Sequence, residues 1–491
     1  MVACVLVGIT AFLLRSRAAA PALSKDALDE TFDSGISRLV IAWDQDDARP
    51  HAARRAALFD FMYETYQSSA WVPQSLFDTN AVTQAVVGDM DTIVGREVGL
   101  VRWRDNPRVP AFGMAPNVTT KDPSVAPKTL RWTVNCLVCH TAEIDGVAYF
   151  GAGSKTFDEL WLGTALKRLT SEPWLSRLRS NPDDFAFAKE ANRILNSHHH
   201  DKIDSLTRAR STAFAASHVE MFMRSHEGRM PDVAEVGRGD VKTPPLWHTV
   251  AKMPVGRWYS DGSFHGPFPL MASSMELEKD RSFETLSTAV VPVIKDEFTS
   301  VIQHLRAPRY PYAIDVVLAE KGRALFNSRE MGCASCHGTY DGRGGVDWPG
   351  RHVDVGTDRG RLDVVTPQFV DAFEHSPLAA EGALKKSRGY AATPLTGVWA
   401  NFPYLHNGSV PTLYDLLGPA TARPKVFEVM AARTLDRERV GQPLGRAPKD
   451  ADDRNWFNTA RPSCGNGGHD FWSAIKTDAN RRALIEYLKT L

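Results

Sequence analysis

Cys136-Leu137-Val138-Cys139-His140 and Cys333-Ala334-Ser335-Cys336-His337 are the two stretches on which the reading of this chain turns. Each is a Cys-x-x-Cys-His group, the pattern of c-type haem attachment. With 6 Cys and 15 His in 491 residues, random placement yields one such pentapeptide in about one chain in 500, and two at a rate on the order of one in a million. The spacing has a mechanical reason: each thiolate adds to one haem vinyl group, and the adjacent His is then held under the iron as its proximal ligand. Two rival chemistries fit less well. Zinc drawn from two distant Cys-x-x-Cys pairs needs no His after each pair, and a thioredoxin-like pair is expected after a strand in a βαβ unit, whereas Ala319 to Phe326 reads as helix. The expectation is two covalently bound haem c groups, attached at Cys136, Cys139, Cys333 and Cys336, with His140 and His337 on the irons.

Length and composition frame this expectation. A chain of 491 residues exceeds the size at which one core usually stops growing, so two domains are expected. Their boundary is read at the proline-rich break Arg306-Ala307-Pro308-Arg309-Tyr310-Pro311. Residues 1–25 read as a signal or leader segment or an N-terminal anchor, 30–305 as an N-terminal haem domain with insertions, and 306–491 as a C-terminal cytochrome c domain. The apolar run Val2 to Leu14 is too short to span a bilayer and has the length of a signal-peptide core, although its arginines, Arg15 and Arg17, follow it. Covalent haem attachment happens outside the cytoplasm, so the motifs independently point to a periplasmic or secreted protein. Lys plus Arg equals Asp plus Glu at 58 each, which excludes broad attraction to nucleic acid or to an acidic membrane surface.

Along the chain, helical patterns run from Arg54 to Tyr66, from Phe157 to Leu169 and from Asp183 to Met223, the last polar enough for a surface elaboration. Ala319, Gly322, Leu325 and Phe326 form the apolar face of a helix leading into the second haem motif, and Leu484, Tyr487, Leu488 and Leu491 form that of a closing helix. A helix before the motif packed across a closing helix is a cytochrome c arrangement. The fold class is therefore mostly α, with two cytochrome c-like haem domains, long loops and few short strands. His198-His199-His200 reads as a solvated loop, Cys464 as a buried free thiol and Cys4 as an apolar residue of the leader.

The C-terminal half carries further motifs: Pro311-Tyr312-Ala313-Ile314-Asp315, Thr393-Pro394-Leu395-Thr396-Gly397-Val398-Trp399, Pro403-Tyr404-Leu405-His406-Asn407-Gly408-Ser409-Val410-Pro411-Thr412-Leu413 and Gly468-His469-Asp470-Phe471. With the second haem motif, these resemble the dihaem cytochrome c peroxidase superfamily, and within it most the branch of latex-degrading rubber oxygenases. The resemblance covers roughly residues 90–491. It implies that the N-terminal haem meets the oxidant while the C-terminal haem stores or relays electrons. The pattern of the bacterial peroxidases is broken in two places. No His occurs between His140 and His198, and the position that would carry their Met or Tyr ligand is Ala420. The rubber oxygenase pattern instead matches His469, making the C-terminal haem bis-histidine with His337, a pairing that carries electrons but leaves no position for substrate. His406 is the rival ligand.

For the N-terminal haem the sequence offers no obvious sixth ligand beyond His140, leaving the iron open to dioxygen or hydrogen peroxide. By the same resemblance Trp247 and Phe264 line its distal pocket, Trp247 also relaying electrons between the haems. The alternative is that these aromatics simply pack the core. His265 is the residue that would restore peroxidase chemistry, as an acid/base for cleaving the O–O bond, whereas His248 reads as packed or hydrogen-bonded. The leading expectation is a dioxygen-activating oxidoreductase that cleaves a small or polymeric apolar unsaturated substrate. The alternatives are a peroxide reductase fed by a small cytochrome or cupredoxin, and a non-catalytic electron carrier. Calcium between the domains is left open.

Overall fold

The computed structural model describes residues 29–32, 38–43, 47–64, 72–73, 94–95, 98–102, 111, 114–116, 131–171, 175–176, 179, 182–196, 207–227, 229, 231–232, 236–266, 286–446 and 453–491. The leader expectation, Cys4 and the His198–His200 run lie outside them.

The first haem motif is built onto a sheet. Four strands run in the order Asp29–Phe32, Arg38–Ala42, Val147–Phe150, Thr141–Ile144. The two central strands pair in parallel, Val40 opposite Tyr149, and Thr141–Ile144 folds back on Val147–Phe150 as a hairpin. Its two-residue turn, Asp145-Gly146, has φ of 50° and 77°, the left-handed pair that matches strand twist. Leu39 to Ala42 and Val147 to Phe150 are buried at every position, as a strand covered on both faces requires. These short continuous apolar runs have no alternation, and periodicity alone does not separate them from helix. The described architecture is therefore mixed helix and strand rather than mostly α, with short strands in six sheets among the described residues.

The second motif sits in helices. Val316–Asn327 starts at Asp315, whose Oδ1 accepts from the Leu318 amide at 2.9 Å, and leads to the short helix Cys333–His337. The closing helix Asp478–Lys489, capped by Thr477, crosses it as the spacing predicts. The two approach at Gly322, where a Cβ would lie 1.9 Å from the Ala483 carbonyl oxygen, so only glycine allows the contact. Phe326 meets Tyr487 with ring centroids 5.3 Å apart, and burying each such large apolar side chain contributes roughly 1.5–3 kcal/mol.

The earlier helical patterns appear as His51–Phe59, Glu159–Leu169, Pro182–Asn196 and Ala213–Ser225. The last is not a surface elaboration: Ala215, Val219 and Met221 enter the core, and His218 stacks on Phe369 at 4.5 Å. One buried apolar cluster contains residues from both sides of the Arg306–Pro311 break. Strand Phe264–His265 also pairs with Ala383–Leu384 across it. Buried and half-buried Lys and Arg side chains reinforce the seam. Lys155 Nζ donates to the carbonyls of Ala400 (2.6 Å) and Phe402 (2.7 Å), Lys242 to those of Asn401 and Pro403, and Arg210 to those of Asn407 and Gly408. No helix among the described residues is long and apolar enough to cross a membrane.

Candidate haem sites

Asn135 fixes the entry to the first motif. Its Oδ1 accepts from the Leu137 amide at 3.0 Å, and its Nδ2 donates to the carbonyls of Phe61 and Met62. That cap turns Cys136–Val138 into a 3-10 helix and delivers His140 at the start of the edge strand. The loop after the hairpin returns to the motif, Gly151 and Ser154 amides donating to the His140 and Cys139 carbonyls at 2.9 and 2.7 Å. Gly153 is required there, because a Cβ would meet the Thr243 carbonyl oxygen at 1.9 Å. Cys136, Cys139 and His140 remain part-exposed while Leu137 and Val138 are buried. Burial lowers the His140 pKa to about 4, against the opposing pull of the Pro244 carbonyl, so the ring is the neutral imidazole a metal ion binds.

The second motif is tied more tightly. His337 Nδ1 is 2.8 Å from the Thr393 carbonyl oxygen. A carbonyl only accepts, so Nδ1 carries the hydrogen and the Nε2 lone pair is left for iron. Facing this ring is His469, with centroids 6.1 Å apart at 64°. The 6.1 Å separation leaves room for one metal ion, so His337 and His469 are the pair that would hold the second haem iron. His469 is held by its backbone: its amide donates to the Val355 carbonyl at 2.8 Å. Buried Arg423 donates to the carbonyls of Asn466, Gly468 and His469 at 2.7, 2.7 and 3.0 Å. Gly468 and His469 both have positive φ, 70° and 46°. Burial, with His337 and Arg423 nearby, lowers the His469 pKa to about 3. The rival His406 stacks on Tyr390 at 3.8 Å.

Trp247 is buried between the two motifs. A Cβ on Gly151 would touch its ring at 3.5 Å, and its indole N–H donates to the Thr396 carbonyl at 3.0 Å, three residues from the carbonyl that holds His337. His248 Nε2 lies 2.9 Å from the same carbonyl oxygen, the packed, hydrogen-bonded role expected of it. Phe264 is fully buried, edge-on to Phe373 at 5.4 Å and to Tyr259 at 6.1 Å. Its strand neighbour His265 points to the opposite face, beside Arg257 and Lys385, which with burial lower its pKa.

Sequence reasoning missed Glu297. This buried carboxylate stands 3.8 Å from Cys136 Sγ, on the helix Val291–Ser300. Its register was a usable signal, since Val291, Ile294 and Phe298 are the buried apolar positions of that helix and Glu297 shares their face. Among the described residues no three His, Cys, Asp or Glu side chains converge as a metal-ligand group, so the two Cys pairs do not assemble a shared zinc site. Cys464 is buried with Phe427 and Phe457, its thiol pushed up to about 12 by burial.

Two uncharacterised proteins of Sinorhizobium fredii are similar to this chain. One, y4iJ, is 29% identical over 293 residues, covering 45% of this chain and 47% of y4iJ. The other, y4iM, is 28% identical over 316 residues, covering 55% and 68% respectively. The chain thus matches about half the length of y4iJ. Residues 389–428 match the family described as RoxA-like, cytochrome c-like. That stretch holds Thr393, Thr396 and His406, the segment that seats His337 and receives Trp247. The match places a RoxA-like, cytochrome c-like segment in the C-terminal half, a type of domain that implies covalently bound haem c.

Proposed function

We propose that the chain is an exported, periplasmic or secreted dihaem oxidoreductase with one reactive and one electron-carrying iron. Cys136, Cys139 and His140 hold the first haem, Cys333, Cys336, His337 and His469 the second. The first, when bound, supplies dioxygen activation for cleavage of an apolar unsaturated substrate. The observation that carries this reading is the asymmetry of the two histidines. His337 has His469 at 6.1 Å, whereas the first motif has the buried Glu297 carboxylate 3.8 Å from Cys136 Sγ. His469 closes its iron to substrate and leaves it an electron carrier. Trp247, touching the loop of one motif and bonded to the loop of the other, lies on the short path between them. Phe264, with Tyr259 and Phe373 around it, contributes an apolar wall that excludes water.

A peroxide reductase is the second reading, and Glu297 is the observation in its favour. A buried carboxylate beside the first haem motif offers the acid/base that cleavage of an O–O bond needs, in place of His265. Its electrons would come from a small cytochrome or cupredoxin. Carbon monoxide titration of the dithionite-reduced protein tests the asymmetry. The expected result is one molecule bound per chain, while none bound leaves only an electron carrier. Oxygen uptake with an alkene, compared with peroxide consumption with a reduced cytochrome, then decides between the two catalytic readings.

A further inference from the structure

Four oxidisable aromatic side chains form a continuous line from the hairpin after His140 to the protein surface. Tyr149 is the cross-strand partner of Ala142, two residues beyond His140. Its ring meets Trp399 edge-on at 5.4 Å. Trp399 meets Tyr310 at 5.6 Å, and Tyr310 meets Tyr312 at 5.6 Å. The first three are buried, Trp399 with no exposure at all, and Tyr312 is part-exposed. Of the aromatic side chains, only Tyr and Trp readily give up a single electron.

The outer end is equipped for that loss. A phenol that loses an electron must also release its proton, and Tyr312 Oη donates to the Asp145 carboxylate at 2.5 Å. Asp145 is the turn residue of the same hairpin. Arg437 lies over the Tyr312 ring at 3.7 Å and 3.9 Å from Asp145, fixing both groups. Tyr310 makes only a long bond through its hydroxyl, 3.4 Å to the Arg437 carbonyl oxygen, so its oxygen has little structural duty.

We propose that Tyr149, Trp399, Tyr310 and Tyr312 conduct oxidising equivalents away from the His140 haem, and that Tyr312 is a surface site for one-electron oxidation of phenol-type donors. This rests on the reactive iron being the one at His140. Hydrogen peroxide is the oxidant: its reduction to two waters takes two protons from solvent and two electrons, both drawn in turn along the chain from Tyr312, so that two phenol molecules are oxidised per peroxide. At the surface, Tyr312 loses an electron and its phenolic proton passes to the Asp145 carboxylate, giving a neutral tyrosyl radical and a carboxylic acid. A phenol then returns one electron, the Asp145 proton goes back to Tyr312, and the donor's own proton goes to solvent.

The test is peroxide treatment of the ferric holoprotein with a nitroso spin trap, followed by peptide mapping by mass spectrometry. The trap adduct is expected on Tyr312 and is expected to fall at least tenfold in Tyr310→Phe, with haem content and the peroxide-induced Soret change as in the parent. Trp399→Phe should act the same way by breaking the line one step earlier. A Soret change without an adduct on Tyr312, or equal labelling in haem-loaded Tyr310→Phe, overturns the relay and leaves the reactive haem standing. A Soret band that does not respond to peroxide overturns both.

Discussion

The two haem motifs share a pentapeptide pattern and differ in almost everything around it. Cys333–His337 is a turn of helix entered from a capped helix and closed by another, with His337 held from behind by Thr393 and faced by His469. Cys136–His140 is a 3-10 turn leading into a sheet edge, with a buried carboxylate at one cysteine and aromatic side chains nearby. The lesson is that attachment chemistry is local while reactivity is set by distant chain. Five residues bind a haem, but whether its iron is open depends on what arrives opposite the proximal His from far along the sequence.

Substituting the attachment residues should separate the two sites most sharply. Cys136→Ser with Cys139→Ser is expected to lower the covalent haem content from two to one per chain and to reduce reaction with dioxygen or peroxide to background, read by intact mass and oxygen consumption. Survival of that reaction would place the reactive iron at the other motif. Next in size is His469→Gly, which removes the second imidazole. Carbon monoxide binding should rise from one to two molecules per chain, and an unchanged stoichiometry would mean that another group faces His337.

A smaller effect tests the helix crossing that supports the second motif alone. Gly322→Ala drives a methyl group into the Ala483 carbonyl and is expected to destabilise that half by about 1–3 kcal/mol, measured by urea unfolding of the holoprotein. A pH-dependent effect concerns the seam between the two sites. Burial lowers the Lys155 pKa from 10.5 to about 7, so between those values the unfolded chain binds a proton that the folded chain does not. Stability from this group is therefore fully present above the unfolded value and is lost as pH falls through about 7. Lys155→Met should flatten the stability profile across that window, and an unchanged slope would show that Lys155 keeps its charge inside.

What was legible in the sequence was what is encoded locally. The apolar spacing of Val316–Asn327 and Asp478–Lys489 and the buried thiol of Cys464 need no partner to be read. His469 was paired with His337 through resemblance, since nothing in the residues near it names His337 as its neighbour, and the two rings lie 6.1 Å apart. Thr393 and Arg423 stayed invisible for that reason: a carbonyl and a guanidinium acquire their roles only through contacts dozens of residues away. The sheet was missed because Leu39–Ala42 and Val147–Phe150 are buried on both sides and lose the alternation that marks a strand. Ala213–Ser225 is buried rather than surface, and its His218, whose pKa burial lowers to about 4, packs as a neutral aromatic ring against Phe369.

Electron paramagnetic resonance of the oxidised protein tests the central asymmetry most directly, because each ferric haem reports its own coordination. One high-spin signal from the His140 haem and one low-spin signal from the His337–His469 haem, in equal amounts, is the expected spectrum. Two low-spin haems in equal amounts would contradict it.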